Sequence, residues 1–224
     1  FTPQAGDGQL HLLAMIKYIA ANYPVNSISL TEMFYHVDGY GPDDKVSYMA
    51  YSRTKDWPRN SDGTIAVNNA SIGNWRTHVL DIYLDKIVAV CHQYGKQFYL
   101  DVDLTLDYGY TVESLNHVTN EHGTNYNVVL QHTDKIIIWG YFALDKFQPE
   151  FLKDVAQFLT QFGYNRVILS IGLWGRASPV VTADKLKRAI IASQAGGISD
   201  IWITPGSLMS AGHWRVLDQL WGLP

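Results

Sequence analysis

Along the chain, apolar residues recur at helical spacing and then give way to a short apolar or alternating run, and this exchange repeats. Leu10–Asn22 carries the helical pattern and leads into Ser27–Glu32, and Trp75–Tyr94 leads into Gln97–Leu104. Val112–His132 precedes Lys135–Phe142, Pro149–Phe162 precedes Arg166–Trp174, and Ala183–Ala195 precedes Asp200–Thr204, with Trp214–Leu220 as a closing helix. Glycines stand at the helix-to-strand joints, at Gly95, Gly163, Gly196 and Gly197, where a helix ends most easily. Strand starts at 97, 135, 166 and 200 fall 31–38 residues apart, the spacing of βαβ units around a parallel sheet.

The pattern predicts an α/β fold. Five strands between a leading and a final helix match the later part of a (β/α)8 TIM barrel, from about strand 4 to strand 8, with residues 1–224 as the C-terminal part of one barrel domain. Five strands left open would expose two apolar edges, so a missing N-terminal barrel segment or a companion chain is an expected partner. The spacing breaks at residues 36–73, a long connection containing Gly39, Gly41, Pro42, Pro58 and Gly63, with one alternating stretch at Val46–Tyr51. Because it leaves the carboxyl end of a strand, it is expected to cover the face where barrel enzymes keep their active sites.

Composition narrows the classes of partner. Apolar residues make up 47% of the 224 and charged residues only 17%, which excludes disorder as the main state. The net charge of −4 is spread without blocks, so there is no basic footprint for nucleic acid and no polybasic patch. No apolar run approaches the ~18–20 residues that span a bilayer. Cys91 is the one cysteine, which excludes disulfide frameworks and cysteine-rich zinc sites. His117 and His122 are five apart and lack a third ligand, so no metal is expected. GxSxG, Walker and GxGxxG motifs are absent, and no cofactor is expected. Phe1 stands where an initiator methionine would, so the N-terminus reads as processed or cut.

Candidate chemistry lies at the carboxyl ends of the predicted strands. Alternate strand residues share a face, so Asp101 and Asp103 point one way while Leu100, Val102 and Leu104 point the other, toward the helices. Two carboxylates so close raise one another's pKa when poorly solvated, as acid–base chemistry requires. The competing reading makes Asp101 a buried structural residue and Asp103 a strand end. Glu32 ends the first strand, although parity puts it with Ile28 and Leu30 on the helix side unless the strand bends.

Rings form the second signal. Val167, Leu169, Ile171 and Leu173 read as the helix-facing set, leaving Ser170, Gly172 and Trp174 facing the barrel interior; Trp202 and Thr204 follow by the same parity, and Trp139 and Tyr141 add another inward pair. Indole faces beside carboxylates suit sugar rings. The alternative is that these rings fill the core.

As an ordered set, Ile28-Ser-Leu-Thr-Glu32, Asp56-Trp-Pro-Arg59, Ile72-Gly-Asn-Trp-Arg76, Leu100-Asp-Val-Asp103 and Ser170-Ile-Gly-Leu-Trp174 resemble the glycoside-hydrolase-type TIM barrels, more narrowly the family-10-like hydrolase barrels. The resemblance implies action on, or retention of, a polysaccharide or oligosaccharide, with Glu32, Asp101 and Asp103 as acid and base and Trp57, Arg59, Trp139, Tyr141, Trp174 and Trp202 binding substrate. It also implies an extracellular or surface setting. Glu32 matches by order the glutamate acid after strand four, whereas Ser170–Gly175 has no carboxylate where a strand-seven nucleophile would stand. Thr105 stands where the DxDxE pattern of chitinase-like barrels has its acid. Two readings therefore stay open: a hydrolase, and a non-catalytic glycan-binding or structural barrel module.

Overall fold

The computed structural model describes residues 6–35, 39–102, 119–144, 146–163, 165–175 and 180–222. Five strands, β1 (Ser27–Thr31), β2 (Gln97–Val102), β3 (Lys135–Gly140), β4 (Val167–Gly172) and β5 (Ile201–Thr204), form one sheet in the order β1-β2-β3-β4-β5. The β1/β2 and β4/β5 pairs are parallel. Sequential parallel order with a helix in each crossover is the α/β arrangement that the spacing predicts, five consecutive units of a TIM-barrel type of sheet. The helices are α1 (Gly6–Asn22), α2 (Pro42–Ser52), α3 (Ala70–Gln93), α4 (Tyr126–His132), α5 (Phe151–Leu159), α6 (Ala183–Ala195) and α7 (Ala211–Trp221). The chain divides into two compact units, Phe1–Ile136 and Ile137–Pro224.

In the first unit, α3 is the central helix. Asn69 caps it by accepting from the Ser71 N–H at 2.9 Å, and Ile72, Trp75, Arg76, Val79, Leu80, Tyr83, Leu84, Ile87, Val88 and Cys91 make one buried stripe at three- and four-residue spacing. Phe98, Leu100 and Val102 on β2 are fully buried, each worth about 1.5–3 kcal/mol of burial, while Tyr99 and Asp101 on the other face are half-buried. At the far end of α3, His92 Nε2 meets Asp134 Oδ2 at 2.9 Å, and that carboxylate also accepts from the Phe98 N–H at 2.8 Å. His132 contacts both Asp81 and Asp85 of α3. Burial beside Asp134 raises the Cys91 thiol to about 11.

Two differences from the sequence pattern concern this unit. Val46–Tyr51, which alternates like a strand, lies within α2. Pro42 opens that helix, Asp43 and Asp44 fill its first turn, and Asp44 Oδ2 accepts from the Gly41 N–H at 3.1 Å, so N-terminal helix signals override the alternation. The expected helix over Val112–His132 has a break in its described part: 119–122 are helical, Gly123 takes a φ of 76°, and α4 starts at Tyr126.

In the second unit β4 is buried along its whole length. An added Cβ on Gly140 would lie 3.1 Å from Leu169 Cδ1 and 3.3 Å from Leu152 of α5, which sets Leu169 on the helix side. Gly172, three positions on, faces the opposite way, against the Tyr141 ring. Arg188 of α6 holds Glu150 with two bonds, of 2.6 and 2.8 Å. His213 of α7 donates from Nε2 to the Val181 carbonyl at 2.7 Å while its Nδ1 accepts from the Ser210 N–H at 3.0 Å, which fixes its tautomer.

Candidate functional site

The carboxyl ends of β1 and β2 carry the candidate acids of the first unit. Thr31 pairs in register with Asp101, so Glu32 follows one residue past the last paired position. Its φ of 59° is left-handed, uncommon for a residue with a Cβ, so the extended backbone of β1 ends before it. Glu32 is exposed. Asp101 sits on the half-buried face of β2 with Tyr99 and Gln97, whose side chains bond at 2.7 Å. Asp103 lies outside the described residues.

Beyond Glu32 the chain dives inward, burying Met33 and Tyr35. The Tyr35 N–H donates to the His122 carbonyl at 3.0 Å, and His122 Nδ1 returns a bond to the Tyr35 carbonyl at 3.0 Å. Phe34 packs edge-on against the His122 imidazole, with centroids 4.9 Å apart. Glu121 lies 3.8 Å from His122 Nε2.

Beneath this seam lies Arg76, 1% exposed. It donates to the carbonyls of Asn120 and Glu121 and, at 3.5 Å, of Gly39, and it stands 5.2 and 4.9 Å from the Tyr35 and Tyr40 ring centroids. Both rings favour a cation on their faces. Among the described residues, three buried polar atoms here have no hydrogen-bond partner: the Tyr35 hydroxyl, Asp44 Oδ1 and Arg76 Nε. Desolvation, helped by Asp44 and opposed by Arg76, holds the Tyr35 phenol well above its ordinary pKa, and burial also raises Tyr40.

The long connection over residues 36–73 is pinned by Asp56. Hydrogen bonds from Lys45 and Arg59, then from the Trp57 N–H, keep its carboxyl well below the usual range. Lys45 Nζ is 2.7 Å away, and Arg59 gives two further contacts of 3.1 and 3.0 Å. The remaining Arg59 nitrogen donates to the Gly63 carbonyl at 2.8 Å. Trp57 is buried, stacked on Tyr48 at 4.4 Å and edge-on to Trp75 and Tyr40. Trp57 thus packs between the connection and α3, while Arg59 bonds within the connection.

In the second unit the rings gather at the carboxyl ends of β3 and β4. Trp139 and Tyr141 stack at 5.3 Å with planes 8° apart, and Tyr141 meets Trp174 edge-on at 5.1 Å. A Cβ on Gly172 would lie 2.6 Å from Tyr141 Cδ1, so only glycine leaves room for that ring on the β4 backbone. Ser170 pairs with Trp202, which is 38% exposed, and Gly172 with Thr204.

This arrangement of strands decides the comparison with known proteins. The chain shares its fold with part of several solved glycoside hydrolase barrels. It superposes on the glycoside hydrolase domain of PgaB (BpsB) from Bordetella bronchiseptica with a TM-score of 0.75 at 10% identity, over 96% of this chain and 62% of that one. For the β-galactosidase of the psychrophilic Marinomonas ef1 the TM-score is 0.70 at 11% identity, over 100% and 45%. For a chitinase from Chromobacterium violaceum it is 0.51 at 9% identity, over 94% and 95%. The chain therefore spans less than two thirds of the first two. No family model and no curated protein matches the sequence. At these identities the likeness concerns fold.

Sequence reasoning missed Arg76, His122 and Glu121. A charged helix residue reads as a surface residue, and the spacing of His117 and His122 bears on metal binding, not on a loop seam. The close approach at Gly73 and Gly123, where added Cβ atoms would lie 2.4 Å from Asn120 Oδ1 and 2.6 Å from Arg76 Cβ, appears only in the folded chain. Among the described residues no group of three or more His, Cys, Asp or Glu side chains could hold a metal ion, and no helix is long and apolar enough to cross a membrane.

Proposed function

We propose that the chain is a carbohydrate-active barrel that hydrolyses glycosidic bonds of an extracellular or surface polysaccharide. Glu32, Asp101 and Asp103 serve as the acid and base. Trp139, Tyr141, Trp174 and Trp202 hold sugar rings. The observation that carries this reading is the aromatic array at the carboxyl ends of β3 and β4, with Gly172 kept free of a side chain beneath it. Sugars present C–H faces that lie on such rings. The printed activities of the fold relatives, a glycoside hydrolase domain, a β-galactosidase and a chitinase, support the same substrate class.

One carboxyl group would protonate the leaving oxygen while a second carboxylate activates water or attacks the sugar, their separation choosing inversion or retention. The edges of β1 and β5, the first and last strands in the order, would be paired by a further barrel segment or a companion chain. A non-catalytic glycan-binding module is the second reading, favoured by the absence of any carboxylate in Ser170–Gly175.

A glycan array followed by a reducing-end assay tests these readings. Binding with product release identifies the hydrolase, binding alone the module, and no binding by the wild type ends both. In a hydrolase, Asp103→Asn lowers turnover about 10²–10⁴-fold, the range for loss of acid–base help, while Trp174→Ala mainly weakens binding. In a module the aspartate change leaves retention nearly intact and the tryptophan change removes most of it.

A further inference from the structure

We propose that Arg76 is a positioning residue that ties residues 39–40, which follow β1, and residues 119–123 to one helix, and so sets where Glu32 stands at the end of β1; the functional half of this inference rests on the carbohydrate reading above.

The guanidinium reaches the Gly39 carbonyl in one loop and the Asn120 and Glu121 carbonyls in the other. The two loops are also joined directly, through the paired bonds between Tyr35 and His122. Around them the seam is closed to side chains: Gly73 and Gly123 leave no room for a Cβ against Asn120 and Arg76, and Thr77 Oγ1 donates to the Gly123 carbonyl at 2.9 Å. One side chain on α3 thus fixes 39–40 and 119–123 together. Phe34 and Tyr35, two and three residues after Glu32, meet His122 of the second segment directly.

Stability alone does not account for an arginine at this place. It is 1% exposed and, among the described residues, has carbonyls and rings for partners, with no carboxylate paired to its guanidinium and Nε left without an acceptor. A buried cation without a counter-charge is costly, and apolar residues commonly replace such groups without loss of stability. What an apolar residue or a lysine lacks is the planar fork that addresses several carbonyls at fixed angles. Geometry, rather than charge or packing volume, is therefore the property that this position uses.

The experiment compares the wild type with Arg76→Lys and Arg76→Met by residue-resolved amide exchange and by glycan hydrolysis. The expected result is faster exchange, by tenfold or more, at the Tyr35 amide and across 119–125 in both variants, with the amides of Ile87 and Val88 on α3 and of Leu169 on β4 unchanged. In hydrolysis kcat falls about 10²-fold, the cost of a misplacement of about 1 Å, with KM nearly constant and no rescue by lysine. Thr77→Val, a milder change at the same seam, loosens 119–125 and leaves Tyr35 protected if the Arg76 variants do not fold. Unchanged exchange at both loops, exchange raised uniformly through residues 6–136, or full rescue by lysine overturns the proposal. Loops released with kcat unaltered overturns its functional half. A wild type that hydrolyses no glycan counts against the carbohydrate reading alone, because the exchange arm still decides the bolt.

Discussion

The carboxyl-end residues of the two units are built on opposite principles. In the first unit they are polar and poorly satisfied: among the described residues the Tyr35 hydroxyl, Asp44 Oδ1 and Arg76 Nε are buried without partners. In the second unit the described residues hold no such orphaned atom, and β4 is buried end to end beneath a ring array seated on Gly172. Unmet hydrogen bonds persist where something other than stability maintains them. The contrast sets unmet polar atoms in the first unit against a packed ring array in the second.

The largest expected effect comes from removing the anchor of the first unit. Trp75 is fully buried, donates from Nε1 to Ser47 Oγ at 2.9 Å and touches Tyr35, Tyr48 and Trp57. Trp75→Ala is expected to cost about 3–5 kcal/mol, with amide exchange rising in 6–136 ahead of 137–222. Equal acceleration in both units would break the comparison.

Gly172→Ala comes next, at about 1–3 kcal/mol for an overpacked contact, measured by denaturant unfolding with tryptophan fluorescence. The added methyl displaces Tyr141, so the emission of Trp139 and Trp174 should shift with it. A neutral substitution with unchanged emission would mean that the ring array is not seated on that backbone.

Tyr35→Phe has the opposite sign. Its hydroxyl is buried without a partner, so removing it is expected to stabilise the fold by about 1 kcal/mol. The raised phenol works in the same direction with pH: above the unfolded value near 10 the unfolded chain ionises first, so stability present below that pH is lost as it rises toward the folded value. Tyr35→Phe should flatten that alkaline loss. A destabilised Tyr35→Phe would show that the hydroxyl has a partner after all.

The smallest effect belongs to Asp56. Its carboxyl is depressed by Lys45, Arg59 and the Trp57 N–H, so its pinning is present above the unfolded carboxylate range and fades as pH falls toward the folded value. Because the group is exposed, the expected readout is local: protease cutting within 53–68 in acid, matched at neutral pH by Asp56→Ala, with the melting temperature little changed. Cutting at neutral pH in the wild type would refute the pinning.

The parts of the fold fixed by period alone were legible. Val167–Gly172 reads as a strand from its apolar run, and Leu169 and Gly172 take the faces that parity assigns. The left-handed backbone at Glu32 was not legible, because a single such residue leaves no periodic trace. Val46–Tyr51 misled because alternation over six residues fits a half-turned helix as well as a strand, while the decisive Pro42-Asp43-Asp44 opening lies just outside that window. Arg76 was illegible for a different reason: its burial is made by segments 39–40 and 119–123, far away in sequence.

Cys91 offers a clock. It is the sole thiol in the chain, fully buried on α3 and held largely protonated at neutral pH by a pKa of about 11. Only the exposed thiolate reacts with an alkylating reagent, so each modification event marks a moment when α3 has lifted from its neighbours. The labelling rate of the unaltered protein therefore times openings of the first unit, with no thiol in the second to add background.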